Sequence, residues 1–218
     1  RTSYSTRSAC TPMAAAAKQM LTSVMHRDVR SDEVEVHKTP SLFMEFTRDL
    51  GIKFVDDRDQ RLIDLCRDPV RAETALEGES EVWLRDEIID VILYRGTITL
   101  DEYLDLARSG RGSALGHRQR RAVWRAFGEV LDSWMAVGML PWRAQAWLAV
   151  RALIEAPREG PRWSSVVVDE AQDLSPAAIR AISLLQVDDH STLTIMGDAA
   201  QSVYGPGFRW SEIGLQAR

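Results

Sequence analysis

The stretch that most restricts the fold lies near the end of the chain. Val166, Val167 and Val168 form an uninterrupted apolar run, as in a strand buried on both faces of a sheet. Ser175 and Pro176 then open a helical stretch to about residue 185, proline being tolerated at a helix start because its missing N–H is not needed there. Residues 193–196, Leu-Thr-Ile-Met, read as a second buried strand. Strand, helix and strand in so short a span is the rhythm of a parallel α/β sheet. The first strand ends in Asp169 and Glu170, and in open α/β sheets that edge is where ligands bind.

The preceding hundred or so residues have a different texture. Residues 56–156 read as almost wholly helical, and apolar side chains recur there at helical spacing in three stripes. The stripes are Trp83, Leu84, Ile88, Val91 and Ile92; Val123, Phe127, Val130, Leu131 and Trp134; and Trp142, Ala146, Trp147, Val150 and Ile154. A tryptophan-lined binding surface is one reading. We take core packing instead, because an amphipathic helix needs such a face. Gly96, Gly110, Gly112, Gly116 and Gly138 punctuate the helices. Upstream, residues 12–25 read as a helix, residues 34–36 as a short strand, and residues 41–50 as a helix closed by Gly51. The chain thus divides into an α/β core supplied by residues 1–55 and 157–218, and a helical insertion, residues 56–156.

Composition excludes several classes. Hydrophobic residues are 45% and charged residues 27%, as in an ordinary globular protein. No apolar run approaches the length of a membrane span. The two cysteines, Cys10 and Cys66, give neither a disulfide framework nor a zinc spacing, and read as buried thiols in a reducing cytoplasm. The formal charge of -5 weighs against a small basic nucleic-acid module, yet allows a local basic track on an acidic body. One such track stands out, with six arginines in eighteen residues: Arg108, Arg111, Arg118, Arg120, Arg121 and Arg125, and His117 among them. Phosphate contact and a solvated face paired with nearby acids are its two readings. His37 stands alone and reads as a surface or satisfied histidine.

The strand ends carry the chemistry. A phosphate-bound Mg²⁺ needs one or two carboxylates and otherwise keeps water or phosphate oxygens. Asp169 is placed to hold such an ion, and Glu170 to orient and deprotonate an attacking water. After the second strand come Gly197, which lets the backbone turn sharply, and Gln201, whose amide can both donate to and accept from a terminal phosphate or water. Tyr204 offers a flat face for a base.

Asp169-Glu170-Ala171-Gln172-Asp173 resembles motif II of the UvrD/Rep branch of superfamily 1 DNA helicases. Gly197-Asp198-Ala199-Ala200-Gln201-Ser202-Val203-Tyr204 resembles motif III of that branch. The resemblance implies a RecA-like core of the phosphate-loop NTPase type, incomplete here, with a mostly helical accessory insertion. It implies ATP and Mg²⁺ as cofactors, Asp169 as the metal ligand, Glu170 as the catalytic base and Gln201 at the γ-phosphate. It also implies single-stranded DNA as the partner, with 3′-to-5′ movement by analogy. Thr2, Tyr4 and the following helix resemble motif Ia, which touches the DNA backbone, and Tyr204 lies where the family meets single-stranded DNA. The family continues past that tyrosine with an aromatic and Arg-Gly-Ala, whereas this chain reads Gly205-Pro206-Gly207-Phe208-Arg209-Trp210-Ser211. Phe208 and Trp210 are then candidates for base stacking, with packing against a neighbouring subdomain as the other reading. The Thr-x-His-Ser of motif Ib has no counterpart around residues 34–42.

No Gly-x-x-x-x-Gly-Lys-[Ser/Thr] phosphate loop occurs in the chain. In the family that loop precedes motif Ia, and the arginine of the second motor domain follows motif III. The expectation is a fragment of a first motor domain whose remaining partner is the rest of the helicase chain. The rival is a non-catalytic remnant or regulatory module that keeps the fold and binds DNA or another protein.

Overall fold

The computed structural model describes residues 19, 23, 35, 37–107, 114–155, 163–186 and 192–197. Thr2, Tyr4, Cys10, Arg108, Arg111, Gln201, Tyr204, Phe208 and Trp210 lie outside them. The chain forms two compact units, residues 1–42 and 43–218. In the first, Gln19 and Ser23 are helical, as expected for residues 12–25. Of the strand expected at 34–36 only Glu35 is described, and it lies in no regular element. Its carboxylate pairs with His37 at 2.9 Å, so that histidine is a satisfied surface residue.

Helix α1 (Thr39–Thr47) continues into a 3-10 turn, Arg48–Leu50, closed by Gly51 in the left-handed conformation. The helices of the larger unit follow: α2 (Gln60–Asp64), α3 (Arg67–Ala72), α4 (Glu81–Glu87), α5 (Leu100–Asp105), α6 (His117–Ala136), α7 (Ala144–Glu155) and α8 (Pro176–Ser183). Local chemistry starts several of them. Asp59, Ser80, Thr99 and Ser175 each accept a bond from a backbone N–H in the first turn of α2, α4, α5 and α8 respectively. Helix α4 runs on into a π-helical turn, Ile88–Leu93, that buries every residue except Asp90. No helix among the described residues is long and apolar enough to cross a membrane.

Among the described residues, two small parallel sheets make the fold α/β. Strand β1 (Lys53–Val55) pairs with β2 (Met139–Pro141), Lys53 opposite Met139. This pair was not foreseen: β1 lies in residues 1–55, read as part of the α/β core, and β2 in residues 56–156, read as helical almost throughout, so the pairing crosses the expected boundary. Strand β3 (Ser165–Val168) pairs with β4 (Thr192–Ile195), Val168 opposite Ile195, with α8 in the crossover. The strand–helix–strand order read from the sequence is therefore present. The expected burial of both strand faces is not. Val168 is buried, but Val167 is 61% exposed and Thr192 and Thr194 are exposed. Ser165 and Thr192 share that open face, where the Thr192 hydroxyl donates to Ser165 Oγ at 2.8 Å. The valine run expresses the β-propensity of branched side chains and covers only one face of the sheet.

One hydrophobic cluster, built from residues between Val55 and Trp147, fills the centre of the larger unit. The first two apolar stripes are core, as read: Leu84, Ile88, Ile92, Val123, Val130 and Trp134 are almost wholly buried. A chain of rings, Tyr103, Trp124, Phe127 and Trp147, runs through it at centroid distances of 5.9, 5.4 and 5.6 Å. The polar ends of these side chains find partners, as burial demands. Trp134 Nε1 donates to the Leu62 carbonyl at 3.1 Å, and Trp147 Nε1 to the Thr97 carbonyl at 2.7 Å. The Tyr103 hydroxyl donates to the fully buried Glu87 carboxylate at 2.7 Å. The third stripe is corrected at its ends. Trp142 is 53% exposed and stacks on Phe54 at 5.8 Å, and Ile154 is 39% exposed. Trp142 precedes the first residue of α7, so helical spacing does not apply to it. Cys66 is buried, and that burial pushes its thiol up to about 12.

Helix α8 is fastened to the loop that precedes α5. A Cβ on Gly96 would stand 3.0 Å from Ala177 Cα, so only glycine admits that approach. Arg180 donates to the Gly96 carbonyl at 2.8 Å and forks onto Glu102 at 2.7 and 3.1 Å. Partial burial alone would raise the Glu102 carboxyl. The bonds from Arg180 and the backbone N–H groups outweigh it and hold the group below its ordinary range. This clamp sets α8, and with it the strand end that α8 follows, against the helical segment.

Candidate functional site

Strands β3 and β4 end side by side, and two backbone bonds keep the departing chains together. The Met196 N–H donates to the Val168 carbonyl at 2.8 Å, and the Ala171 N–H returns a bond to the Met196 carbonyl at 2.9 Å. Between these bonds Asp169 and Glu170 emerge, both exposed. Glu170 adopts the left-handed conformation, φ 51° and ψ 41°, and among the described residues is the one non-glycine with positive φ. That conformation costs a residue with a Cβ about 1 kcal/mol. It turns the chain sharply out of the strand into a 3-10 turn, Ala171–Asp173.

The turn holds both carboxylates in place. The Glu170 N–H donates to Asp169 Oδ1 at 2.9 Å. Gln172 Nε2 donates to Glu170 Oε2 at 2.5 Å. One oxygen of each carboxylate is thereby occupied from within the turn. Gly197, just past β4, lies against the same turn: a Cβ there would stand 2.6 Å from Gln172 Oε1 and 3.3 Å from the Ala171 nitrogen. The sequence reading gave Gly197 a turning role; the structure adds this close approach. It gave Gln172 no role. The sequence signals for one were its place in the motif II resemblance and its position two residues beyond the candidate base.

The donor set fits a phosphate-bound Mg²⁺ and not an all-protein cage. Among the described residues no three His, Cys, Asp or Glu side chains gather as a metal site. A single exposed carboxylate, Asp169, is what an ion held mainly by phosphate and water requires.

The arginine track divides in two. Arg120 is corrected: its guanidinium turns inward and is committed to backbone carbonyls. Nη1 donates to Tyr103, Leu104 and Leu106 at 2.7, 2.9 and 2.8 Å, and Nε donates to Leu115 at 3.3 Å. Arg125 forks onto Glu73 with two bonds of 2.7 Å. Arg118 and Arg121 are exposed and have no ion pair among the described residues. His117 opens α6 and is also exposed.

No curated protein matches the chain. Residues 145–216 match the family model described as the UvrD/REP helicase N-terminal domain. The match begins at the second residue of α7, takes in β3, the acidic turn, α8 and β4, and extends through the motif III segment. A strand pair ending in adjacent exposed acids, with a glycine packed on the acidic turn, thus lies within the segment, residues 145–216, that is similar to the UvrD/REP helicase N-terminal domain.

Proposed function

We propose that this chain is part of an ATP-dependent DNA helicase of the UvrD/Rep type, coupling ATP hydrolysis to movement on single-stranded DNA. The observation that supports this most is the pair Asp169 and Glu170, exposed together at the end of β3 within the family-matched segment. Asp169 holds Mg²⁺, which when bound neutralises phosphate charge and orients the nucleotide. Glu170 takes the proton of the attacking water on the oxygen that Gln172 leaves free. By the family resemblance, Gln201 serves the γ-phosphate, and Tyr204, Phe208, Trp210, Thr2 and Tyr4 serve DNA binding. The β3–α8–β4 unit belongs to a RecA-like core formed by residues 1–55 and 157–218. Residues 56–156 form the accessory subdomain; most of the hydrophobic cluster lies within them, and it reaches back across that boundary to Val55, Phe54 and Ile52. The setting is cytoplasmic.

DNA-stimulated ATP hydrolysis by the complete reading frame containing these residues tests the proposal; a frame that binds DNA without any turnover favours the regulatory reading. The 218-residue chain by itself is expected to be inert, because it contains no phosphate-loop sequence and positioning supplies most of the catalysis in phosphoryl transfer. Turnover by this chain at about 1 s⁻¹ or faster in a coupled assay with single-stranded DNA contradicts that expectation.

Arg118 and Arg121 are the described members of the arginine track open to phosphate. Alanine at each is expected to flatten the log–log salt dependence of DNA affinity by about 0.7 to 0.9 per lost contact. Titrations at several salt concentrations measure the slope. An unchanged slope assigns both arginines to a solvated face.

A further inference from the structure

We propose that Gln172 is a positioning residue for Glu170, and that Gly197 is glycine because a side chain there would displace it. The proposal rests on Glu170 being the base. An exposed glutamate on a turn samples several rotamers, whereas a general base needs one carboxylate oxygen held toward the water it deprotonates. Gln172 supplies that restriction. Its Nε2 is 2.5 Å from Glu170 Oε2, so the second carboxylate oxygen is the one left to meet water. The amide orientation follows from charge: a carbonyl oxygen against the carboxylate would be repulsive, so the nitrogen faces Glu170 and Oε1 faces away.

Oε1 faces the other strand end. A Cβ built on Gly197 would lie 2.6 Å from it, well inside van der Waals contact, and also 3.2 Å from the Gln172 nitrogen. The amide is therefore held between Glu170 on one side and the Cα of Gly197 on the other. The Ala171-to-Met196 backbone bond, 2.9 Å long, fixes the spacing of the two chain segments. A shift of the β4 end relative to β3 moves Gln172, and Gln172 moves the Glu170 carboxylate. The geometry makes the direction of the base depend on the segment that leads into motif III.

Two measurements test this. In the 218-residue chain, the Gln172 side-chain amide protons, observed by NMR, are expected to be shifted downfield and protected. Glu170→Ala and Gly197→Ala should each abolish that signature. An amide indistinguishable from a free glutamine overturns the clamp. In the complete reading frame, Gln172→Ala is expected to lower kcat by about 10- to 100-fold, with KM for nucleotide unchanged within about twofold. Gly197→Ala should cost a similar factor, and the double variant little more than either single change, because both act on one contact. A Gln172→Ala kcat within about twofold of wild type, or a loss confined to KM, overturns the positioning role. So does full multiplication of the two losses in the double variant. If Glu170→Gln leaves kcat intact while the NMR signature is present, the assignment of the base has failed and the clamp is only structural.

Discussion

Glu170→Gln in the complete reading frame is expected, on the proposed function, to abolish turnover while leaving nucleotide binding largely intact. Loss of a general base costs about 10²- to 10⁴-fold in rate. The site makes this an unusually direct substitution. Glutamine keeps the length of the side chain, and its amide oxygen can accept the Gln172 Nε2 bond that Glu170 Oε2 accepts at 2.5 Å. The Glu170 backbone N–H, which donates to Asp169 Oδ1 at 2.9 Å, is untouched. What disappears is the capacity to take a proton. Asp169→Asn should behave differently, since weakening the proposed metal ligand would harm Mg²⁺–nucleotide affinity as well as chemistry. Each variant needs two constants: nucleotide affinity with Mg²⁺ present, and DNA-stimulated kcat. Retention of more than about a tenth of wild-type kcat in Glu170→Gln, against the loss expected for a general base, shows that Glu170 is not the base.

Arg120→Ala is expected to destabilise the fold while leaving the salt dependence of DNA binding unchanged. The Arg120 guanidinium donates to the carbonyls of Tyr103, Leu104, Leu106 and Leu115 and lies 5.8 Å from the centroid of the Tyr103 ring. Tyr103 and Leu104 lie in the last turn of α5, where carbonyls have no partner within the helix and a cation is favoured. A hydrogen bond involving a charged group contributes about 1.5 to 3 kcal/mol, and water recovers part of what is lost at a half-buried site. The expected cost of Arg120→Ala is therefore about 2 to 3 kcal/mol in urea unfolding. Arg120→Lys should recover only a fraction, because an ammonium lacks the planar fork that reaches several carbonyls at once. Arg118→Ala and Arg121→Ala, at exposed positions, should stay within about 0.5 kcal/mol of wild type. If Arg120→Ala were as stable as these two and flattened the salt slope, the inward assignment would be wrong.

The amino-acid sequence alone determined what depends on neighbours along the chain. Ser175 and Pro176 predict the start of α8, where the Ser175 hydroxyl accepts from the Ala178 N–H at 3.1 Å. The stripe through Val123, Phe127, Val130 and Trp134 predicts the buried face of α6, because the period of a helix is written into the spacing of its side chains. The apolar run ending in two acids predicts a strand end with exposed Asp169 and Glu170, and the residues around it carry the family likeness.

Tertiary structure decided what depends on residues far apart in sequence, where no periodicity records the contact. The pairing of Lys53 with Met139 joins three-residue strands too short to show alternation. Arg180 meets Glu102 across 78 residues, and nothing near either residue marks the partner. Arg118, Arg120 and Arg121 are equivalent as letters. The backbone carbonyls at the end of α5 draw in Arg120 and leave the other two in solvent, because the rotation of α6 brings only one of them over those acceptors. The role of Gln172 is hidden for the same reason: it becomes visible only when β4 lies beside β3 and brings Gly197 against its amide.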